Sequence, residues 1–282
     1  MDLTSIQTVK SLLKKYAIRP SKRLGQNFLI SKSAVKKLIA AADINSEDII
    51  LEVGPGIGTI TIELANIAKQ VIAVEKDRAL IPVLSETTNS SANIQILNKD
   101  ILKFENLEID CKLKIENWKL VGNIPYYLTA PLIRKFLESK NPPKSIVFII
   151  QKEMAQRICA SPPDMSILAV SVQFYANAEI ITYIPRSSFW PMPKVDSAII
   201  KITPRAVIAR RPSDYSRRAD AAISKTFFKT VRAGFSNPRK QLGNNLSKEL
   251  LRAADIDPTR RAETLTVKEW VNISKIFNPQ TF

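Results

Sequence analysis

The stretch "LEVGPGIGT", residues 51–59, constrains the fold of this chain more than any other segment. Its first three residues complete the run Ile49–Val53, which predicts a short buried strand. The three glycines that follow predict a tight turn. A helix is expected from there to about Lys69. Because glycine lets the backbone come close to a ligand at a helix N-terminus, this turn is a candidate binding site. With the next apolar run, "QVIAVEKD", the segment predicts a βαβ unit.

Further apolar runs extend this unit into a sheet. "NIQILNKDIL", "WKLVGNIP" and "SIVFIIQKE" predict the third, fourth and fifth strands. "SVQFYANAEIITYI" and "VDSAIIKI" alternate and lie close together, so they predict a closing antiparallel pair. Continuous apolar strands between helices indicate a mostly parallel sheet covered on both faces, which is a Rossmann-like α/β fold.

The pattern becomes helical near Pro204, which predicts two domains. The first, 1–204, holds the sheet and an N-terminal helical cap, in which apolar residues from Leu3 to Tyr16 recur at helical spacing. "SKSAVKKLIAAADI" predicts another helix, with Ser31 or Ser33 as its N-cap. The second, 205–282, is a small basic domain with predicted helices in "ADAAISKTFFKTVRAG", "PRKQLGNNLSKELLRAAD" and "TVKEWVNISKIF".

The ends of three successive strands predict the cofactor. A dinucleotide-binding loop would carry glycine or alanine where this chain has Thr59, and no P-loop for ATP is present. Glu52 before the first glycine would repel a pyrophosphate but suits an amine-bearing ligand. Glu75 can accept from both ribose hydroxyls, and Asp100 can accept from an adenine amino group. The set favours S-adenosylmethionine over NAD or ATP.

"NIPYY", residues 123–127, ends the fourth strand at the same edge of the sheet. It could be a purely structural strand end, but beside a methyl donor it suits catalysis. An aromatic amine is a poor nucleophile, and two acceptors on its hydrogens would orient it. The Asn123 side-chain oxygen and the carbonyl of Ile124 or Pro125 can supply them, with proline fixing φ. Tyr126 can stack on the base.

A second aromatic loop, "SSFWPMPKVDSAII", holds Phe189 and Trp190 between prolines. These rings could stack on the other face of an unstacked base, or they could be ordinary core. A cytosine C5 enzyme would need a nucleophilic cysteine, and neither Cys111 nor Cys159 lies in the "NIPYY" loop. The predicted target is therefore an amine nitrogen.

Composition narrows the class of protein further. The net charge of +16 is concentrated in residues 1–40 and 201–282, which indicates a phosphate-binding surface rather than a generic basic one. The chain has no histidine, which excludes a Ser-His-Asp triad and any histidine-bound metal. Two cysteines without motif spacing suit a reducing cytosol, and no apolar run approaches the roughly 20 residues of a membrane span.

Together these motifs resemble the ribosomal RNA adenine dimethyltransferases, the KsgA-type and erythromycin-resistance methyltransferase superfamily, over nearly the whole chain. The motifs that carry the resemblance are, in order, "RLGQNFL", "LEVGPGIGTIT", "VEKD", "NIPYY", "FWPMPKVDSA" and "RKQLGNNL". The implied fold is the class I S-adenosylmethionine-dependent methyltransferase sheet with a small C-terminal helical domain.

The resemblance also implies the site residues and the absence of a metal. The implied contacts to S-adenosylmethionine are Asn27, Leu29, Gly54, Glu75, Asp100 and Asn123. The implied residues that handle the target adenine are Asn123, Pro125, Tyr126 and Phe189. The chain departs from the family pattern at 165–170, "MSILAV", and at Lys99.

"PKVDSAIIKI" and "RKQLGNNL" resemble the small-subunit branch of this family. That branch dimethylates N6 of two adjacent adenosines in the 3′-terminal hairpin loop of 16S ribosomal RNA, during late assembly. The expected partner is the immature small ribosomal subunit, and a cytoplasmic monomer is expected. Two alternatives stay open: a 23S ribosomal RNA adenine methyltransferase of the erythromycin-resistance type, and a non-catalytic RNA-binding assembly factor.

Overall fold

A computed structural model of the protein describes residues 1–103, 118–139, 141–205 and 225–277. The chain divides into two compact units. The first comprises Met1–Ala155 and Ala178–Pro204, and the second comprises Gln156–Asn177 and Arg205–Phe282. The domain prediction from the sequence shares the change at Pro204 but assigns 156–177 to the first domain.

A seven-stranded sheet forms the centre of the first unit, in the order β4-β3-β2-β5-β6-β9-β7. Its strands, with a separate short pair, are β1 Phe28–Leu29, β2 Ile49–Val53, β3 Gln70–Glu75, β4 Ile94–Asn98, β5 Trp118–Asn123, β6 Ile146–Gln151, β7 Ala176–Ile184, β8 Phe189–Trp190 and β9 Ser197–Pro204. Strands β2 to β6 pair in parallel, and β9 pairs antiparallel with β6. The predicted mostly parallel sheet with an antiparallel strand is therefore confirmed.

The helices of the described residues are short. They are α1 Ile6–Lys15, α2 Lys32–Ala42, α3 Thr59–Ala65, α4 Ile81–Thr88, α5 Thr129–Leu137, α6 Lys152–Ile158, α7 Ile167–Tyr175, α8 Lys248–Ala253 and α9 Val267–Ile276, and residues 225–234 are also helical. Ser31 caps α2, because its hydroxyl accepts from the Ala34 N–H at 3.3 Å. Thr266 and Glu269 form a reciprocal capping box on α9.

The N-terminal helix packs on the body of the first unit, as its apolar spacing predicts. Val9, Leu12 and Leu13 are buried in a cluster that also holds Phe28 and Ile57. At its end, Glu86 of α4 accepts from both the Lys15 ammonium and the Tyr16 hydroxyl. The cap region is therefore fixed both by apolar burial and by a carboxylate.

Two predicted elements differ in the structure. Residues 171–175, expected in a strand, belong to helix α7, because the Ser166 hydroxyl caps the Ala169 N–H and the buried face joins the core of the second unit. In that core the Phe174 ring stacks on Phe227 with centroids 4.0 Å apart. The predicted helix over 238–255 is α-helical only in α8, where Ser247 is the N-cap, and it forms a short 3₁₀ helix at Leu242–Asn244. Cys111 and residues 219–224 lie outside the described residues.

No helix within the described residues is long and apolar enough to cross a membrane. The same residues hold no cluster of three or more histidine, cysteine or acidic side chains that could bind a metal ion.

Candidate active site

A cleft of about 870 Å³ opens at the carboxyl ends of β2, β3 and β5. Parallel α/β sheets bind their ligands at this edge. The cleft brings together seven of the nine site residues that the sequence singles out. These are Asn27, Leu29, Gly54, Glu75, Asp100, Asn123 and Pro125.

The glycine turn after β2 needs glycine for its backbone conformation. Gly54, Gly56 and Gly58 have φ of +68°, +62° and +89°, where other residues are strained. A Cβ on Gly58 would also lie 2.9 Å from the Thr87 hydroxyl. The turn therefore presents bare backbone to the cleft and leads into the N-terminus of α3.

Glu75 joins the glycine turn to the end of β3. One carboxylate oxygen accepts from the Gly56 N–H at 3.1 Å, and the other accepts from the Asp77 N–H at 2.7 Å. Burial raises the pKa of Glu75, while these two backbone hydrogen bonds oppose the rise. Each oxygen keeps lone-pair capacity, so the carboxylate can still accept from ligand hydroxyls in the cleft.

Asp100 follows β4 and carries an ion pair within the cleft lining. Its Oδ2 lies 2.9 Å from the Lys76 ammonium, and its Oδ1 accepts from the Leu102 N–H at 3.0 Å. Partial burial raises the pKa of Asp100, but the hydrogen bonds from Lys76 and Leu102 outweigh this and hold it below its usual value. The carboxylate is therefore ionised and positioned as an acceptor.

The segment 21–29 forms a loop that reaches across the strand ends, and we call it the cap loop. Its Gln26 amide donates to Asp77 at 2.6 Å, which ties the loop to the turn that follows β3. Gly25 packs against Pro125, since a Cβ there would lie 3.2 Å from the proline Cβ. The ladder of β1 with β8 then fixes its far end, with Leu29 opposite Phe189.

Asn123 is oriented by this cap loop. Its side-chain NH₂ donates to the backbone carbonyl of Asn27 at 2.9 Å. This contact fixes which end of the amide is the donor, so Oδ1 is the end left to accept. The strand position of Asn123 is also rigid, because a Cβ on the preceding Gly122 would lie 2.5 Å from the Val53 carbonyl oxygen.

The three aromatic residues at this edge lie in different places. Tyr127 is 52% exposed and lines the cleft. Tyr126 is half-buried; burial raises the pKa of its hydroxyl, and the nearby Ser197 side chain opposes the rise. Phe189 is 4% exposed and belongs to the apolar core with Leu29. Among the described lining residues of the cleft, Tyr126 and Phe189 are not included, so their stacking on a target base stays a prediction.

Glu52 lies beneath the cleft rather than in its lining. It is 1% exposed on β2, between Leu51 and Val53. Burial raises its pKa to about 8, the Thr61 hydroxyl opposes the rise, and the charge of Glu75 adds to it. The sequence-based interpretation of Glu52 as a partner for an amine-bearing ligand stays a prediction, because its side chain is buried and is not among the described residues that line the cleft.

The free energy of unfolding is expected to fall as pH rises from about 4.5 to 8 because of Glu52. In that range the unfolded chain releases the Glu52 proton while the folded protein retains it. The loss is roughly 4–5 kcal/mol at 1.36 kcal/mol per pKa unit. Glu52→Gln should remove this slope, as measured by denaturant unfolding between pH 5 and 8.

Glu47→Gln is the matched control, since Glu47 is an exposed carboxylate just before the same strand. It should reproduce the pH dependence of the unchanged protein. If the free energy of unfolding depends on pH in the same way in the unchanged protein and in Glu52→Gln, the buried carboxyl is not neutral.

Sequence reasoning missed three participants in the site. Lys76 and Tyr127 line the cleft, and Gln26 anchors the cap loop. The only sequence feature that could have identified them is that they lie inside the quoted motifs "VEKD", "NIPYY" and "RLGQNFL". No pattern in those motifs distinguishes a cleft-lining residue from its neighbour, because consecutive residues in a turn have no fixed facing.

A family model described as ribosomal RNA adenine dimethylase matches residues 18–279. Among curated proteins, the ribosomal RNA small subunit methyltransferase A of Clostridioides difficile strain 630 is 41% identical, covering 98% of this chain and 97% of that protein. The protein of the same name from Dehalococcoides mccartyi strain CBDB1 is 42% identical, covering 93% and 89%.

Two solved structures share the fold. A dimethyladenosine transferase from Plasmodium falciparum has a TM-score of 0.73 at 24% identity, covering 87% of this chain and 95% of that one. The 23S rRNA methyltransferase ErmE has a TM-score of 0.71 at 24% identity, covering 89% and 99%. These likenesses confirm the predicted fold class, a Rossmann-like, mostly parallel α/β sheet with an antiparallel strand.

Proposed function

The chain belongs to the ribosomal RNA adenine dimethylase family, and on that premise we propose that it dimethylates N6 of two adjacent adenosines in the 3′-terminal hairpin loop of small-subunit ribosomal RNA. The observation that carries the proposal is the anchored Asn123 amide, whose NH₂ is held by the Asn27 carbonyl at 2.9 Å. An oxygen acceptor fixed in this way at the cleft edge suits an exocyclic amine.

S-adenosylmethionine, when bound, would supply an electrophilic methyl group. The described residues fit it: the glycine turn offers bare backbone, and Glu75 offers a buried acceptor for the ribose hydroxyls. Asp100 offers an ionised acceptor for the adenine amino group. Asn27 and Leu29 of the cap loop would cover the cofactor, since both line the same cleft.

Asn123 and Pro125 would orient the target amine. The Asn123 Oδ1 would accept one N6 hydrogen, and the carbonyl of Ile124 or Pro125 would accept the other, which turns the nitrogen lone pair toward the methyl donor. Pro125 has φ of −53°, so the carbonyl is held by a fixed backbone. The chain contains no histidine, so this chemistry relies on positioning and electrostatics.

The partner would be an immature small ribosomal subunit, met in the cytoplasm by a monomer. The basic charge at both ends of the sequence supports a phosphate-rich partner. The curated relatives at 41% and 42% identity bear the small-subunit name, which favours this RNA over the large-subunit one.

The deciding experiment is to map the methylated nucleotides. The protein is incubated with labelled S-adenosylmethionine and, in separate reactions, with immature small subunits from a strain that lacks the modification and with unmodified large-subunit RNA. Label at both adjacent adenosines of the 3′ hairpin is expected. Label in large-subunit RNA alone would instead identify the resistance-type activity, and RNA binding without any label or cofactor binding would identify a non-catalytic assembly factor.

A further inference from the structure

A second aromatic and basic surface lies at the same edge of the sheet as the cleft. Tyr183, the last but one residue of β7, is 48% exposed. The Lys152 ammonium lies 5.1 Å from the centre of its ring, a cation–π contact on the surface. Arg186 and Lys194 are exposed nearby, and the Arg186 guanidinium donates to the Lys194 carbonyl at 3.5 Å. We call Lys152, Tyr183, Arg186 and Lys194 the edge surface.

The edge surface is continuous with the catalytic loop through paired strands. The Ser197 side chain lies close enough to Tyr126 to act on its pKa, and Ser197 pairs with Gln151 across β9 and β6. The Lys152 N–H then donates to the Asp196 carbonyl at 3.0 Å. From β5 to β7 there are three strand spacings of about 4.8 Å, which place Tyr183 roughly 14 Å from the catalytic strand end. A few nucleotides of an extended strand span this distance.

The chemistry of the edge surface fits unpaired RNA. An exposed tyrosine offers a face on which any base can stack, and flanking cations neutralise the phosphates. Acidic groups here are partly engaged: the Asp196 carboxylate accepts from the Arg186 N–H at 2.9 Å. Glu153 is the exposed acid beside Lys152, so the balance of these side chains stays positive.

We propose that Tyr183 and Lys152 form a nucleotide subsite that stacks a base a few nucleotides from the target adenosine and neutralises its phosphate. The proposal rests on the proposed function, because that function brings an unpaired RNA loop to the adjoining cleft. Tyr183 and Lys152 act there as substrate-positioning residues, separate from the groups that orient the amine.

The test compares variants in both RNA binding and methyl transfer. Tyr183→Thr removes the ring but keeps a strand-forming side chain. It should weaken binding of the 3′ hairpin RNA, and raise KM for small subunits, by roughly 5- to 100-fold with little change in kcat. Tyr183→Phe should restore both values. Lys152→Ala should lower the slope of log affinity against log salt by about 0.7.

Lys69→Ala is the matched charge control, since Lys69 is exposed before β3 at the opposite edge of the sheet. It should leave the RNA affinity near that of the unchanged protein. Affinity for S-adenosylmethionine should be unchanged in every variant.

Equal RNA affinity in Tyr183→Thr and the unchanged protein would overturn the subsite. Unchanged hairpin binding with weakened binding to assembled subunits would overturn it too, and would show that the edge surface meets a protein. If the unchanged protein methylates no RNA while the hairpin still binds through Tyr183, the proposed function fails and the subsite stands.

Discussion

Replacing Asn123 with alanine is expected to slow methyl transfer by about 10²- to 10³-fold, the usual loss for one positioned polar group that acts in the transition state. The amide oxygen is the acceptor that would orient the target amine, and alanine offers none. Affinity for S-adenosylmethionine should change far less, by about the single hydrogen bond that Asn123 could give it. Single-turnover kinetics with saturating cofactor measure the transfer step directly.

Asn123→Asp tests separately the two roles of the amide, because it keeps the acceptor oxygen but removes the NH₂ that binds the Asn27 carbonyl. Aspartate keeps an acceptor oxygen, but its carboxylate faces the Asn27 carbonyl that now receives the amide NH₂ at 2.9 Å. The two oxygens would repel, so transfer should be slow in this variant as well. Asn89→Ala, at an exposed helix end, is the control and should transfer normally. Transfer within threefold of the unchanged protein in Asn123→Ala would refute the assigned role.

Replacing Glu75 with alanine is expected to raise the Kd for S-adenosylmethionine at least about 100-fold. The carboxylate would accept two ribose hydroxyls, and each hydrogen bond to a charged group contributes about 1.5–3 kcal/mol. It also holds the Gly56 and Asp77 N–H groups at 3.1 and 2.7 Å, so its loss loosens the glycine turn. Titration calorimetry gives the Kd.

Glu75→Gln should bind the cofactor with intermediate affinity, because it keeps one acceptor oxygen and turns an NH₂ toward a backbone N–H. Glu63→Ala, an exposed acid on α3, controls for the change in charge. Circular dichroism should show a folded protein in each case. A folded Glu75→Ala variant that binds within fivefold of the unchanged protein would show that the ribose is held elsewhere.

The sheet and the cofactor edge were predictable because their signals are local. Ile49–Val53 is a continuous buried run, and the glycines after it form the predicted tight turn, with positive φ. Parallel strands then bring Glu75 and Asp100 to the same edge whatever the exact register. Local patterning therefore sufficed for the strand-end residues Gly54, Glu75, Asp100 and Asn123, which line one cleft. Asn27 and Leu29 line the same cleft but were expected only from the family resemblance.

The rest depends on contacts between distant segments. The ladder of Leu29 with Phe189 joins two residues far apart in the chain, and a pair of two-residue strands leaves no periodicity to read. That ladder buries Phe189, which sequence reasoning assigned to the target base. Residues 171–175 were misread as part of a strand because their apolar side chains satisfy both periods, and the Ser166 cap decides in favour of the helix.

The hydrogen bond between the Asn123 side chain and the Asn27 carbonyl joins the cap loop directly to the amide that would orient the target amine. Any movement of the cap loop large enough to exchange one cofactor for the next takes the Asn27 carbonyl away from Asn123. An enzyme that adds several methyl groups to one substrate must exchange its cofactor between additions. Each exchange would then break the hydrogen bond that orients the Asn123 amide, and each closure of the cap loop would form it again. The amide would therefore be oriented for catalysis only while the cofactor is enclosed.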